Sequence, residues 1–495
     1  MVTGRGRTKY YLIVVIVFLI VGAGTFIAVQ WFTKTGIFRI PGVVYFDDSL
    51  NEAERSLLNT IFTEETDLDK DVYITAIESF TKPELSEGEF LYSISVPVTD
   101  YYSLDTNVEV EKPEFLYADA YQREVPFNMI DLDQLDYTKK LLSINGDYYL
   151  DNYDSGAVFR TIKFDSEKYA DEIQPLVVEA FNKTWPDQSN VLTFAQTGVT
   201  ALSRGMNAKL QQVGDATYFA EKIKDYLASF DLTHTSNESS FTNYATRDNI
   251  CSDPRFIDTL TAIGLDVVEL TGNHNQDCGD EAASETIDIY NQNQIRIVGG
   301  GKTAKEAAEP LVIQEKGSGI TFLAYNLSTG GATLDNTPGA NQYSEENAKK
   351  EIKAAKERGD VVIIDIQYYE CSSYASEYED TTCDYANSAA GDQVGFFRHL
   401  IDLGADVVVG TSAHQPQTFE LYNDGAIYYG LGNLFFDQVW WPGTTRSLIL
   451  SHYFYQGKLL QTRIVPTVYD KNMQTELMDA EKTKWFLGRL IQERP

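Results

Sequence analysis

Through the second half of the chain, short apolar runs alternate with amphipathic stretches, a pattern that predicts strands followed by helices. VLTFAQ (191–196), LDVVELTG (265–272) and SGITFLAYNLS (318–328) read as strands. DVVIIDIQYY (360–369) and ADVVVGTS (405–412) are unbroken apolar runs, as expected of strands covered on both faces. Between them VGDATYFAEKIKDYLASF (213–230), DPRFIDTLTAIG (253–264), ASETIDIYNQNQ (283–294) and SEENAKKEIKAAKERG (344–359) predict helices, the last ending at Gly359. The late runs AIYYGLGNLFF, RSLILSHYFYQ and KLLQTRIVPTVY read as closing strands. This predicts an α/β layered sandwich over residues 190–468 and a helical tail over 469–495.

The first part of the chain reads differently. Tyr10–Phe32 contains no charged residue, and as a helix it would span roughly 34 Å, enough to cross a bilayer core. Arg5, Arg7 and Lys9 precede it and Lys34 and Arg39 follow, so residues 1–9 are expected inside the cell and the rest outside. The run is longer than the apolar part of a signal peptide and no A-x-A site closes it, so an uncleaved single-pass anchor, residues 10–32, in the cell membrane is expected. After a short tether, residues 42–188 alternate strand-like runs (DVYITAIES, GEFLYSISVPV, DYYLDNY) with helical ones (LNEAERSLLNTIF), predicting a separate α/β domain.

Charge and cysteine content narrow the partners. The 73 acidic and 40 basic residues leave a formal charge of -33, which argues against a nucleic-acid partner and suits a solvated surface domain. Cys251, Cys278, Cys371 and Cys383 contain no C-x-x-C pair, so a zinc ribbon or a thioredoxin site is not expected. Outside the cell they suggest two disulfides, Cys371 with Cys383 and Cys251 with Cys278 among three possible pairings.

Polar residues concentrate where predicted buried strands end, the usual place for a ligand in layered α/β folds. Asn273 and His274 follow one strand, Ser412 and His414 another, Gln367 and Glu370 a third, and Asn237 and Glu238 a fourth. Imidazole, amide and carboxylate oxygen can each ligate a metal or hydrogen-bond a substrate. His234, His399 and His452 sit within predicted strands or a helix and read as structural.

In order, LTGNHNQDCG, GTSAHQPQTFE and YYGLGNLFFDQ, with FAQTGVTALSRG and SNESSFTN before them, resemble the CapA family of capsule-synthesis proteins over about residues 190–455. The resemblance implies a calcineurin-type metallophosphatase-like domain, a four-layer β-sandwich flanked by helices with a metal-centred site. It places Asn237 and Glu238 on the family's Asn-Leu-Glu segment, Asn273 and His274 on its Asn-Asn-His, and His414 on the second His of its Gly-x-His-x-His. Glu370 falls on the Glu after its strand-end His, and Asn433 and Asp437 on its Gly-Asn-x-x-Phe-Asp. Three family ligands are replaced: Gln196-Thr197 stands for Gly-Asp, Gln367 for the strand-end His, and Ser412 for the first His of the pair. Two metals about 3.5–4 Å apart need several anionic or imidazole ligands. His274, His414, Glu238 and Glu370 could hold one divalent metal ion, or the site could bind a polar ligand with no metal. Arg204 could grip a carboxylate or phosphate in bidentate fashion.

Three functions are therefore expected. The first is a membrane-anchored extracellular protein acting in synthesis, export or anchoring of a capsular polymer such as poly-γ-glutamate, beside a membrane polymer synthase that the resemblance implies. The second is a metal-dependent hydrolase of phosphoester or γ-glutamyl bonds with His274 and His414 as metal ligands or acid and base. The third is a non-catalytic binding protein. An anionic extracellular polymer should be repelled by a chain of charge -33 unless bridging cations or a basic pocket intervene; Arg204, Arg247 and Arg255 are the candidates for that pocket.

Overall fold

The computed structural model describes residues 43–62, 68, 71–113, 127–166, 173–181, 184–327, 330–333, 335–368, 371–375, 384–385 and 392–495. The expected membrane helix 10–32, Glu370 and Cys383 lie outside them. Among the described residues no helix is long and apolar enough to cross a membrane.

The chain forms two compact units, divided at Trp185 and Pro186, with the short segments Asp100–Leu104 and Asp136–Lys140 clustering with the second. In the first unit five strands lie in the order Val44–Phe46, Val72–Ser79, Val158–Asp165, Glu89–Asp100 and Asn128–Asp131. The Val72 strand alternates as a one-sided strand should: Val72 and Ile74 are buried while Tyr73 is exposed. The buried positions pack with Leu58 of helix Glu52–Ile61 and with Val177 and Phe181 of helix Gln174–Phe181. A capping box starts the first helix, Asn51 and Glu54 each accepting the other's backbone N–H. The buried Glu54 carboxylate also pairs with Arg160, whose Nη1 reaches Glu78 at 2.7 Å. DYYLDNY, expected as a strand, is mostly turn, its backbone closed by bonds from Asp151 and Asn152 to the Tyr148 carbonyl.

The second unit is two sheets packed face to face. One runs Arg296–Val298, Val267–Glu269, Leu232–Asn237, Val191–Thr200, Arg446–Tyr455, Lys458–Tyr469, Thr475–Leu477, and Asn433–Phe435 also pairs with the Val191 strand. The other runs Leu311–Glu315, Ser318–Asn326, Val361–Gln367, Val407–Gly410, Gly425–Tyr428, Phe419–Tyr422. The first has five parallel strands, counting Asn433–Phe435, with antiparallel strands beyond Val191–Thr200 on one side; the second has four parallel strands with an antiparallel strand at each edge. Their inner faces share one core, in which Phe194, Leu232, Val267 and Leu450 meet Phe322, Ile363, Val409 and Tyr428. Helices cover the outer faces: Gly205–Val213, Ile257–Ala262 and Gly279–Gln292 on the first sheet, Glu345–Arg358 and Gln393–Asp402 on the second. The expected four layers are present.

Three further sequence expectations need correction. Residues 213–230 do not form one helix: Gly214 adopts a left-handed φ of 75°, and a 3-10 turn Ala216–Ala220 precedes a single turn Lys224–Leu227. AIYYGLGNLFF is two strands in different sheets, and the chain crosses between them at Gly432, whose φ of 74° suits glycine. The segment 469–495 is not an appended tail, because Thr475–Leu477 joins the first sheet and Phe486 and Leu490 of helix Ala480–Gln492 enter the inter-sheet core.

Candidate functional site

The parallel strands of both sheets deliver their C-terminal ends to one place. The Leu232 strand ends at Asn237 and Glu238, and the Val267 strand leads to Asn273 and His274. The Val361 strand ends at Gln367, and the Val407 strand leads to Ser412 and His414. Asn433 arrives by the crossing at Gly432, where the Val191 strand passes so close that a Cβ on Gly198 would lie 2.0 Å from the Gly432 carbonyl.

Gln367 is the hub. Its Nε2 lies 2.9 Å from Asn273 Oδ1, 3.3 Å from Glu238 Oε1 and 3.3 Å from Ser412 Oγ. Its Oε1 lies 3.5 Å from the Thr411 hydroxyl. His414 Nδ1 lies 2.9 Å from Asn433 Oδ1. Because Asn433 Nδ2 donates to the Thr444 carbonyl at 3.0 Å, its oxygen faces the ring, and the ring must donate from Nδ1. The other ring nitrogen, Nε2, then points toward Glu238 Oε2 at 3.8 Å. Glu238, Gln367, Ser412, His414 and Asn433 are all buried.

Other expected residues take supporting places. His274 is partly exposed and its Nδ1 bonds Asp277 Oδ2 at 2.7 Å on its own turn. Asn237 donates to the Ser239 carbonyl at 2.8 Å and shapes the loop that carries Glu238. Arg204 does not present a bare guanidinium: its Nη2 lies 2.5 Å from Asp437 Oδ1 and its plane covers Phe436 at 4.5 Å. Arg255 is likewise paired, with Asp253 at 2.7 Å, while Arg247 is exposed on the loop after Phe241. Cys251 and Cys278 form a disulfide, one of the expected pairings, which ties that loop to the turn bearing Asn273 and His274.

Further back along the strands, Asp365 two residues before Gln367 and so on the same face, lies a polar layer that sequence reading did not assemble. Gln196 donates to Asp365 at 2.6 Å, and Asp365 faces His234 Nε2 at 3.3 Å. His452 reaches Gln196 at 3.2 Å and Thr462 at 2.8 Å. Burial, with His234 nearby, lowers the His452 pKa to about 3, so the ring is neutral. Burial and the neighbouring Asp365 push the Glu269 carboxyl up. A lone Asp inside the apolar run VVIIDIQ, with His234 and His452 inside predicted strands, was the sequence signal for this layer.

Metal chemistry can be judged from these donors. Where a bridging carboxylate would sit, Thr197 spends its hydroxyl on the His234 carbonyl at 2.7 Å. The strand-end hub is a neutral amide, and His274 is turned to Asp277. Among the described residues no three His, Cys, Asp or Glu side chains group to hold an ion. This donor set does not fit a two-metal centre. It fits a polar ligand gripped by amides, a hydroxyl and one Glu–His pair.

Comparison with known proteins agrees in place with this site. The family described as "Bacterial capsule synthesis protein PGA_cap" matches residues 193–438. The capsule biosynthesis protein CapA of Bacillus anthracis is 23% identical over 279 residues, covering 54% of this chain and 64% of that protein. The PGA biosynthesis protein CapA of Bacillus subtilis (strain 168) is 24% identical over 279 residues, covering 54% of this chain and 69% of that protein. A Mycobacterium tuberculosis (strain CDC 1551 / Oshkosh) protein named "Probable polyglutamine synthesis accessory protein" is 28% identical over 207 residues, 39% of this chain and 51% of its own length. The chain thus matches under two thirds of the first and third of these relatives and slightly more of the second.

Proposed function

Because residues 193–438 belong to the bacterial capsule synthesis protein family, we propose that this chain takes part in synthesis, export or anchoring of a capsular polymer such as poly-γ-glutamate. It would do so from the cell membrane, held by Tyr10–Phe32, with both units outside. A membrane polymer synthase would be its partner.

One observation favours a binding role over hydrolysis. The strand-end cluster is kept as a hydrogen-bonded set around Gln367, and among the described residues no three His, Cys, Asp or Glu side chains group there to hold an ion. The two Arg–Asp pairs described above are self-neutralised, so bridging divalent cations rather than a basic pocket would reconcile a polyanion with a chain of charge -33. The test is made in cells that display the polymer through this chain. Gln367→Ala with His414→Ala should strip polymer from the surface while the protein stays in the membrane at its normal level. Polymer retained at the wild-type amount would end the proposal.

A second reading rests on the oriented Glu238–His414 pair. With Nδ1 committed to Asn433, the Nε2 edge could act with Glu238 as acid and base on a γ-glutamyl amide or phosphoester. Purified protein that generates new polymer ends, with the activity lost in His414→Ala, would support it. The absence of new ends on prolonged incubation would remove it.

A further inference from the structure

We propose that the aromatic rim of this site, Tyr374, Trp441 and Trp440, is a stacking platform for a neutral glycan, a chain of pyranose rings. The inference goes beyond the capsular-polymer reading and does not rest on it.

The rim begins inside the site. The Tyr374 ring lies 6.1 Å from the His414 ring, Trp441 lies 5.7 Å from Tyr374, and Trp440 lies 5.7 Å from Trp441. The row ends in solvent, where Trp440 is 56% and Trp441 38% exposed. Two adjacent indoles left in water are unusual in a fold that buries most of its large rings, and such patches mark recognition surfaces.

Their exposure is built in. The Thr444 hydroxyl reaches the Gln438 carbonyl at 2.7 Å and the Trp441 carbonyl at 3.0 Å. Gly443 donates to the Ala375 carbonyl at 3.1 Å, which joins this loop to the one bearing Tyr374. Asp437, at the loop's start, is held by Arg204 and by the Gly205 N–H at 2.9 Å. The indoles are therefore presented on a fixed frame, with little ordering entropy left to lose on binding.

Charge and ring geometry select the occupant. The hub groups Gln367 and Ser412 are buried and bonded to one another, so the indoles are the surface a ligand meets. Without bridging cations a polyanion would meet a chain of charge -33. A quaternary cation is recognised by aromatic faces that surround a point. Here the two indoles are tilted by 65° along an open row instead. A sugar ring, with an apolar C–H face for the indoles and polar edges for solvent, fits the row.

The test uses the full chain in detergent, titrated with a panel of neutral oligosaccharides that includes β-1,4-linked glucose and N-acetylglucosamine oligomers, and with oligoglutamate as the charged control. Binding is read by tryptophan emission and by calorimetry. We expect at least one glycan to bind with a blue shift, and oligoglutamate alone to give none. Trp440→Ala with Trp441→Ala should weaken glycan binding by about tenfold or more at unchanged Tm. The Phe versions should keep most of it, and Tyr73→Ala, an exposed ring of the first unit, should change nothing. No binding by any glycan in the panel would overturn the proposal. So would equal affinity in the Ala double variant, or capture of a protein or of polyglutamate alone.

Discussion

Arg204 combines an uncommon backbone with a full set of side-chain partners: its φ is 51°, yet its guanidinium is fixed on Asp437 and Phe436. Asp437 serves two donors, Arg204 and the Gly205 N–H at 2.9 Å. Asp437→Ala should therefore cost about 2–3 kcal/mol, more than Arg204→Ala, because it leaves a charge and a backbone donor unpaired. Denaturant midpoints of the two variants check this, and equal losses would contradict it. His452 supplies a pH prediction. Its ring titrates at about 3 when folded against 6.5 in its ordinary state. Between those values the unfolded chain binds the extra proton, so this stability is complete above about 6.5 and is lost as pH falls toward about 3. The raised carboxyl of Glu269 has the opposite sign: its contribution is present below the ordinary value of 4.5 and lost as pH rises through its folded value. His452→Gln should lower Tm at about pH 7 but flatten the fall between about pH 7 and pH 5; an unchanged slope would refute the assignment.

Elements are held together here by one tight crossing and one disulfide. The Val191 strand and the Asn433 strand touch so closely at Gly198 that any Cβ would strike the Gly432 carbonyl backbone. Gly198→Ala should therefore cost about 3 kcal/mol or more and displace Asn433, releasing His414 from its Nδ1 partner. A Tm within a degree or so of wild type would show that the strands can part cheaply. The Cys251–Cys278 disulfide closes a separation of 27 residues that contains the Asn273 turn. Cys251→Ser with Cys278→Ser should lower stability by about 3 kcal/mol, read as a denaturant midpoint with and without reductant. The wild-type protein should move toward the variant when reduced.

For the whole molecule, charge is the controlling term. A chain of -33 and a polyglutamate strand repel each other in proportion to both charges, and screening by monovalent salt relieves this only in part. Polymer capture by the full chain should therefore require a divalent cation, and chelation should abolish it. Capture that survives chelation would point instead to an arginine surface, with Arg247 the first residue to change.

Sequence alone determined the alternation of strands and helices in the second unit, because apolar runs and glycine stops are local signals: Gly359 ends its helix at a φ of 81°. It also determined that Glu238, Asn273, Gln367 and His414 stand at strand ends. Tertiary structure decided the rest. The break at Gly214 and the change of sheet at Gly432 depend on packing that no window of apolar residues records. Whether Arg204 would face a ligand or Asp437 depended on a partner 233 positions away. The Gln196–Asp365–His234 layer and the row from His414 to Trp440 likewise join distant segments. Periodicity is written in neighbours along the chain, whereas a site is written in neighbours in space, and only the paired sheets bring these residues together.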